Sequence, residues 1–551
     1  MQNLATLRAG GYRNAGLTKI KITEPLDEFP TEILDTQIAS ILEILDLSGT
    51  GLSSLPADLG TRLPLLRIAF FSSCQFKKFP SALAGCPCLE MVAFRKNGME
   101  GFEGDSLDDV AFPPRLRWLI LTDNLLSHIP TSIGRCARLE KCMLAGNQLA
   151  SLPDTMADCK NLTLLRLAAN KLESLPSWLL TMPKLAFLSF AGNPCSSSSS
   201  KSDSTSSDPT SNSSLPQVDW NQIEIHHMLG EGASGIISKG TIRNGNSSRG
   251  SNSALNSRGP SGFNTPSLSG TSTPAVSVSG ASVFSTATSL STLSATTSAS
   301  ARQSTPSLSL SPSTPVAVKI FRGALTSDGT PYDEMAACLA AGQHVNLVQV
   351  HGQIRWGEDE DEAEEKKDVE NKASPFRGGL IMELIPLQYR VLGNPPSFDS
   401  CTRDCFDNND SRLPATAGLA ILSGVASAAA HLHERGISHG DLYAHNILVA
   451  PGAADASKAS KDDSTHAILS DFGAATLYRS DDESNVLVGL EKLEVLAFAH
   501  LVEDVLGLMG EDPSVCPQLL QMHQRCVIPD VEKRPSFTTL VNELAIFQAA
   551  V

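Results

Sequence analysis

The chain has 551 residues, 43 Lys and Arg against 59 Asp and Glu, a formal net charge of −16 and 12 scattered cysteines. One hydrophobic core does not grow to that size, so two or three domains with linkers are expected. The acidic balance argues against a nucleic-acid or anionic-membrane surface, which needs clustered Lys and Arg. No apolar run is expected to approach the roughly 20 residues of a membrane span, and the opening "MQNLATLRAG" lacks the apolar core of a signal peptide. A cytoplasmic protein with reduced thiols is therefore expected. "CPC" at 86–88 is too close for ordinary zinc pairing.

Residues 1–41 are expected to cap a repeat array, with "LTKIKITEPLDEFP" as a candidate degenerate unit. From Leu42 a pattern L-x-x-L-x-L-x-x-N-x-L recurs, starting at Leu42, Leu66, Leu89, Leu116, Leu139, Leu162 and Leu185, with steps of 24, 23, 27, 23, 23 and 23 residues. Asn97, Asn124, Asn147, Asn170 and Asn193 share one phase, which Thr50 and Cys74 take in the first two units. Each unit reads as a short strand, a turn and a return segment, whose apolar positions are buried only by stacking on the next unit. A buried Asn must have its amide satisfied, so a ladder of bonds to turn backbone is expected. Seven units in phase over 42–195 resemble the short leucine-rich repeats of intracellular proteins, which implies an α/β solenoid. Such surfaces mostly bind proteins, so a protein ligand is expected on the concave face. Its variable positions include Arg117, Trp118, Lys141, Arg166 and Phe187.

Residues 196–216 are Ser-rich and read as a disordered linker. Residues 241–315 are of the same kind and interrupt the carboxy-terminal domain, while 357–372 is a charge block and 454–464 a further polar insert. Thr-Pro pairs at 265, 273, 305 and 314 are candidate sites for a proline-directed kinase.

With the inserts set aside, residues 217–550 carry a series of motifs in order. "MLGEGASGIISKG" places Leu229, Gly230, Gly232, Gly235 and Ile237 in a glycine loop, which lets backbone N–H groups approach phosphates. "VAVKIF" is an apolar strand with Ala317 and with Lys319, which needs an anionic partner; the helical stretch after it offers Glu334. "GGLIMELIP" reads as a buried strand running into a connector, with Met382 and Glu383. "ISHGDLYAHNILV" holds Asp441 and Asn446, "AILSDFGAA" holds Asp471, and Arg534 lies near the end. Together these resemble a eukaryotic-like protein kinase domain of α+β bilobal fold, and the whole chain resembles a cytoplasmic leucine-rich-repeat protein kinase. The resemblance implies that Leu229, Gly230, Gly232, Gly235, Ile237, Ala317, Met382 and Glu383 bind ATP. It implies that Lys319, fixed by Glu334, holds the α- and β-phosphates, that Asp441 receives or orients the acceptor proton, and that Asn446 and Asp471 ligate Mg²⁺.

Two positions depart from the family pattern. Gly440 stands where an Arg usually precedes the catalytic Asp, and Tyr443 where serine/threonine kinases commonly carry Lys. The segment from Asp471 to "EVLAFAHLVEDVL" is about half the usual length, lacks Ala-Pro-Glu, and has Glu494 where an Asp usually braces the catalytic loop. His445 is expected at the surface, with no role. The reading is an ATP-dependent protein kinase, serine/threonine-directed, whose repeats recruit a protein partner. The alternative is a weak or inactive pseudokinase scaffold that binds nucleotide and partners.

Overall fold

The structure is a computed structural model that describes residues 3–12, 16–104, 106, 110–196, 215–232, 234–243, 314–321, 325–356, 378–407, 413–450, 465–478, 484–509 and 516–550. Residues 197–214 of the expected Ser-rich linker, the charge block, the polar insert at 454–464, nearly all of the 241–315 insertion and the Thr-Pro pairs at 265, 273 and 305 lie outside the described residues.

The amino-terminal part holds ten short strands: β1 (Lys19–Lys21), β2 (Ile44–Asp46), β3 (Ile68–Phe70), β4 (Lys78–Phe79), β5 (Met91–Ala93), β6 (Gly101–Phe102), β7 (Trp118–Ile120), β8 (Lys141–Met143), β9 (Leu164–Arg166) and β10 (Phe187–Ser189). Eight of them form one parallel sheet in the order β1-β2-β3-β5-β7-β8-β9-β10. β1 comes from the stretch expected as a degenerate unit and pairs Ile20 with Leu45. The middle residue of each strand, such as Leu119, Cys142, Leu165 and Leu188, points into the repeat core, and its neighbours point the opposite way. Prolines 80, 130, 153 and 176 each open a short 3-10 helix on the return side. Their fixed φ sets the chain direction there. The Asn ladder is present. Asn170 Nδ2 donates to Leu144 O (3.0 Å) and Leu167 O (2.8 Å), and its Oδ1 accepts from Leu149 N (3.0 Å).

The carboxy-terminal part begins with a six-stranded sheet made of β11 (Gln217–Asp219), β12 (Ile223–Gly232), β13 (Gly235–Ile242), β14 (Pro315–Phe321), β15 (Val350–Arg355) and β16 (Gly379–Glu383). Its order is β11-β15-β16-β14-β13-β12. β13 and β14 flank the long insertion and still pair antiparallel, from Gly235 with Phe321 to Thr241 with Pro315. Among the described residues one helix, α1 (Pro331–Ala341), accompanies this sheet. The rest is mainly helical: α2 (Ala415–Glu434), α3 (Ser484–Met509), α4 (Cys516–Cys526) and α5 (Phe537–Ala549). Between α2 and α3 lie β18 (Ile437–Ser438), β19 (Ile447–Ala450), β20 (His466–Leu469) and β21 (Thr476–Leu477), with β17 (Arg390–Val391) pairing β19.

Two expectations are corrected here. Among the described residues, α2 is long and apolar enough to cross a membrane by length and composition, with an 18-residue stretch of mean hydropathy 1.5; 67% of that stretch is buried inside the structure, and the helix packs against α3 and α5. Helix α3 begins at Ser484, ten residues before Glu494, because its first turns find a second core. Val486, Leu487, Leu490 and Leu493 pack on the repeat interior, and Gly489 lies against Leu180.

The two parts share a core. Ile68, Met91, Trp118, Ile120, Met143, Leu164 and Phe187, on the outward side of the repeat sheet, join one buried cluster with Leu442, Tyr443, Leu496 and Leu501. Trp118, Lys141, Arg166 and Phe187 are all buried, so the concave face expected to be open is covered by the same chain. Arg117 lies at the rim, its Nε 2.7 Å from Glu140 Oε1. Arg534 is buried at the far edge of the contact, where it donates to Lys492 O (3.0 Å) and Pro183 O (2.7 Å).

Candidate active site

A cleft lies between the six-stranded sheet and β19–β20. Leu229, Gly230, Gly232, Gly235, Ile237, Ala317, Lys319, Glu334, Met382, Glu383 and Asp471 all line it. The positioning is local. β14 pairs Ala317 with Met382 of β16, and Lys319 with Leu380, which sets these side chains side by side. Gly235 lies where β13 meets β14 so closely that a Cβ would stand 2.1 Å from Ile320 O. Thr330 caps α1 through Asp333 N (3.1 Å) and presents Glu334 in the first turn. Glu334 forms an ion pair with Lys319. Burial works against the Lys319 charge, but Glu334 and Asp471 outweigh it and raise its pKa.

Asp471 follows β20 and has a positive φ of 61°. Burial, with the nearby charge of Glu334, pushes its carboxyl up to about 7 against the pull of Lys319. Asp441 and Asn446 are not on the cleft wall but on the loop below it, joined by Asn446 Nδ2 donating to Asp441 Oδ2 (2.8 Å) and Asp441 O (2.9 Å). Asn446 O in turn accepts from Ser470 N (2.9 Å), which ties the loop to the strand that carries Asp471. The amide oxygen of Asn446 is buried with no hydrogen-bond partner. The pairing of Ile447 with Leu469 sets Asn446 and Asp471 at adjoining strand ends, and amide and carboxylate oxygens are the donor type that a hard divalent cation takes.

Glu494 braces the loop. Its Oε1 accepts from Gly440 N (2.6 Å), and its Oε2 from His439 N (3.3 Å) and His433 Nε2 (2.6 Å). His445 is corrected from surface to interior. It is buried, with Nδ1 2.7 Å from Asp404 Oδ1 and its backbone N 3.0 Å from Asp404 Oδ2. Burial opposes its charge, and the Asp404 hydrogen bond overcomes this and raises its pKa.

The least expected member of the site comes from the repeats. Arg166 of β9 is wholly buried and places its guanidinium on the loop of Asp441 and Asn446. Nη2 pairs with Asp441 Oδ1, Nη1 donates to Gly440 O (2.8 Å), and Nε to Asp328 Oδ1 (2.8 Å). Burial alone raises the Asp441 carboxyl, but Arg166 first, then His445 and His439, bring it below its ordinary range. Asp328 lies on the cleft wall ahead of α1, and its carbonyl accepts from Ser189 Oγ of β10 (2.6 Å). Phe187 stacks on Tyr443, and Phe190 N donates to Thr476 Oγ1 (3.1 Å). In the sequence Arg166 is one variable repeat position among several; nothing in the spacing connects it with a loop 275 residues away.

Residues 400–482 match the model of the lipopolysaccharide kinase (Kdo/WaaP) family. The matched stretch runs from before α2 through the loop of Asp441 and Asn446 to just beyond Asp471. The chain therefore carries a kinase-like domain, and a kinase match supports a phosphotransferase. No curated protein matches the chain.

Proposed function

We propose that the chain is an ATP-dependent protein kinase, serine/threonine-directed, with a leucine-rich-repeat solenoid joined to a bilobal kinase fold. The observation that carries this is the convergence of the Lys319–Glu334 pair, Asp471 and the glycine strands on one cleft, with Asp441 and Asn446 linked directly beneath it. ATP would bind between β12–β14 and β16, with Lys319 on its phosphates. Asn446 and Asp471 would hold Mg²⁺, whose charge offsets that of the transferring group.

In the transfer, an acceptor hydroxyl oxygen forms a bond to the γ-phosphorus. The bond from that phosphorus to the β,γ-bridging oxygen breaks, and ADP leaves with the electron pair. The hydroxyl proton passes to the Asp441 carboxylate. A positioned base contributes about 10²–10⁴ in rate.

The match to lipopolysaccharide kinases favours a second acceptor class, a sugar hydroxyl, for the same chemistry. Purified protein with Mg²⁺ and γ-labelled ATP, offered mixed proteins in one reaction and a lipopolysaccharide core in another, separates the two. Labelled phosphoserine and phosphothreonine are the expected products. Label in the sugar alone would move the assignment to the second class. Label in neither, from the wild-type chain or from Arg166→Ala, would contradict the kinase reading.

A further inference from the structure

The kinase reading requires Asp441 to meet an acceptor, yet Asp441 is only 4% exposed and both its carboxylate oxygens are engaged, Oδ1 by Arg166 and Oδ2 by Asn446. The cover over it comes from β9 and β10. The ring of Phe187 lies flat on Tyr443, and the carbonyl of Leu188 sits 2.7 Å from where a Cβ on residue 440 would be. The nucleotide cleft, by contrast, is an open pocket with Lys319 and Asp471 on its walls. One half of the site is accessible and the other is closed by the chain's own repeats.

The two departures from the kinase pattern fall at this contact. Gly440 has a φ of 71°, and a Cβ there would meet both Ala474 O and Leu188 O at 2.7 Å, so any larger residue would push β10 away. Tyr443 supplies the flat surface on which Phe187 lies. Arg166 completes the closure. Its guanidinium has three partners on two segments, Asp328 ahead of α1 and the Gly440–Asp441 loop, and so holds the two sides of the site together. A buried ion pair of this kind specifies a geometry more than it adds stability, which suits a contact that forms and separates.

We propose that the repeat face built from Arg166, Phe187 and the Leu188 carbonyl is an inhibitory cover on the acceptor side of the site, and that transfer to a protein hydroxyl requires it to withdraw. The proposal rests on the kinase reading. It also joins recruitment to activation: a protein that takes the concave face must displace the catalytic loop, so binding and release of Asp441 are coupled and each favours the other.

The test is Arg166→Ala, read by γ-labelled transfer to a casein and histone mixture, by Mg-ATP affinity, and by amide exchange over residues 438–446. The expected result is transfer at least about tenfold faster, nucleotide affinity within about twofold of wild type, and faster exchange in the loop, as for an opened local contact. An unchanged rate in a folded variant overturns the proposal, and so does a lower one, which would make Arg166 a positioning residue for Asp441. If Arg166→Ala does not fold, a reversible lock decides. A Cβ on Gly329 lies 3.5 Å from that of Ala168, within disulfide range. Ala168→Cys with Gly329→Cys is expected to transfer at least about tenfold more slowly when oxidised and to recover on reduction; equal rates overturn the proposal. Silence in every form removes the kinase reading and the inference with it, whereas equal non-zero rates remove the inference alone.

Discussion

The phenol ring of Tyr443 lies parallel to the ring of Phe187, with centroids 3.9 Å apart and planes 8° from each other. The His445 ring also stacks on Tyr443, with centroids 5.0 Å apart. Tyr443 therefore belongs to an aromatic cluster between the repeats and the loop of Asp441 and Asn446, and its identity follows from packing. An aromatic pair of this kind contributes about 0.5–1.5 kcal/mol beyond the area it buries.

Tyr443→Lys should consequently not restore a more kinase-like loop. It would place an ammonium beside Phe187 and His445, two buried rings, with burial opposing its charge. The expected outcome is a loss of about 3 kcal/mol or more, seen as a thermal midpoint several degrees lower. A midpoint equal to wild type would show that Tyr443 is not a packing residue.

Lys319→Met should leave the fold standing and remove function. Its partner Glu334 is 2% exposed and loses its only ion pair among the described residues. Mg-ATP affinity and transfer should both fall, the latter by about 10²–10³, as when one preorganised charge is withdrawn from a transition state. Nucleotide titration by calorimetry, with circular dichroism as the folding control, checks this; wild-type affinity would displace Lys319 from the phosphate role.

How much of the site is legible in the sequence depends on the kind of signal. The strand positions follow the repeat spacing because each Leu and Asn must reach the same place in every turn of the chain. The cleft residues are recognisable because each lies in its own short motif with strand or helix context. The covering of the concave face has no such motif, although it leaves a mark: Ile68, Met91, Trp118, Ile120, Met143 and Leu164 are apolar on the outward side of the strands, where a sheet face open to water would carry polar residues. The interior place of His445 escapes the sequence because its partner Asp404 is 41 residues upstream, on an irregular segment with no periodic pattern.

Lys141 offers a pH test of the same interface. Its ammonium sits 4.3 Å from the centre of the Trp118 ring, and burial lowers its pKa from 10.5 to about 8. That fall corresponds to about 3 kcal/mol of unfavourable burial, against about 1–2 kcal/mol from the ring. Between pH 8 and 10.5 the unfolded chain holds this proton and the folded chain releases it, so stability contributed at this site rises with pH across that window. Lys141→Met should be more stable than wild type at pH 7 by about 1 kcal/mol, and the gap should close towards pH 10.5. A gap that is constant with pH would mean that the fold leaves this ammonium at its ordinary pKa.

Transfer of label by Asp441→Asn, set beside Asp471→Asn, tests the account most directly. Asp471 lines the nucleotide cleft and Asp441 does not. Asp441→Asn should bind Mg-ATP within about twofold of wild type while transfer falls at least about a hundredfold, the share of a positioned base. Asp471→Asn should lose nucleotide affinity as well, because it removes the carboxylate proposed to hold Mg²⁺. Transfer by Asp441→Asn at the wild-type rate, with Mg-ATP bound, would contradict the assignment of this loop as the place where phosphate is passed on.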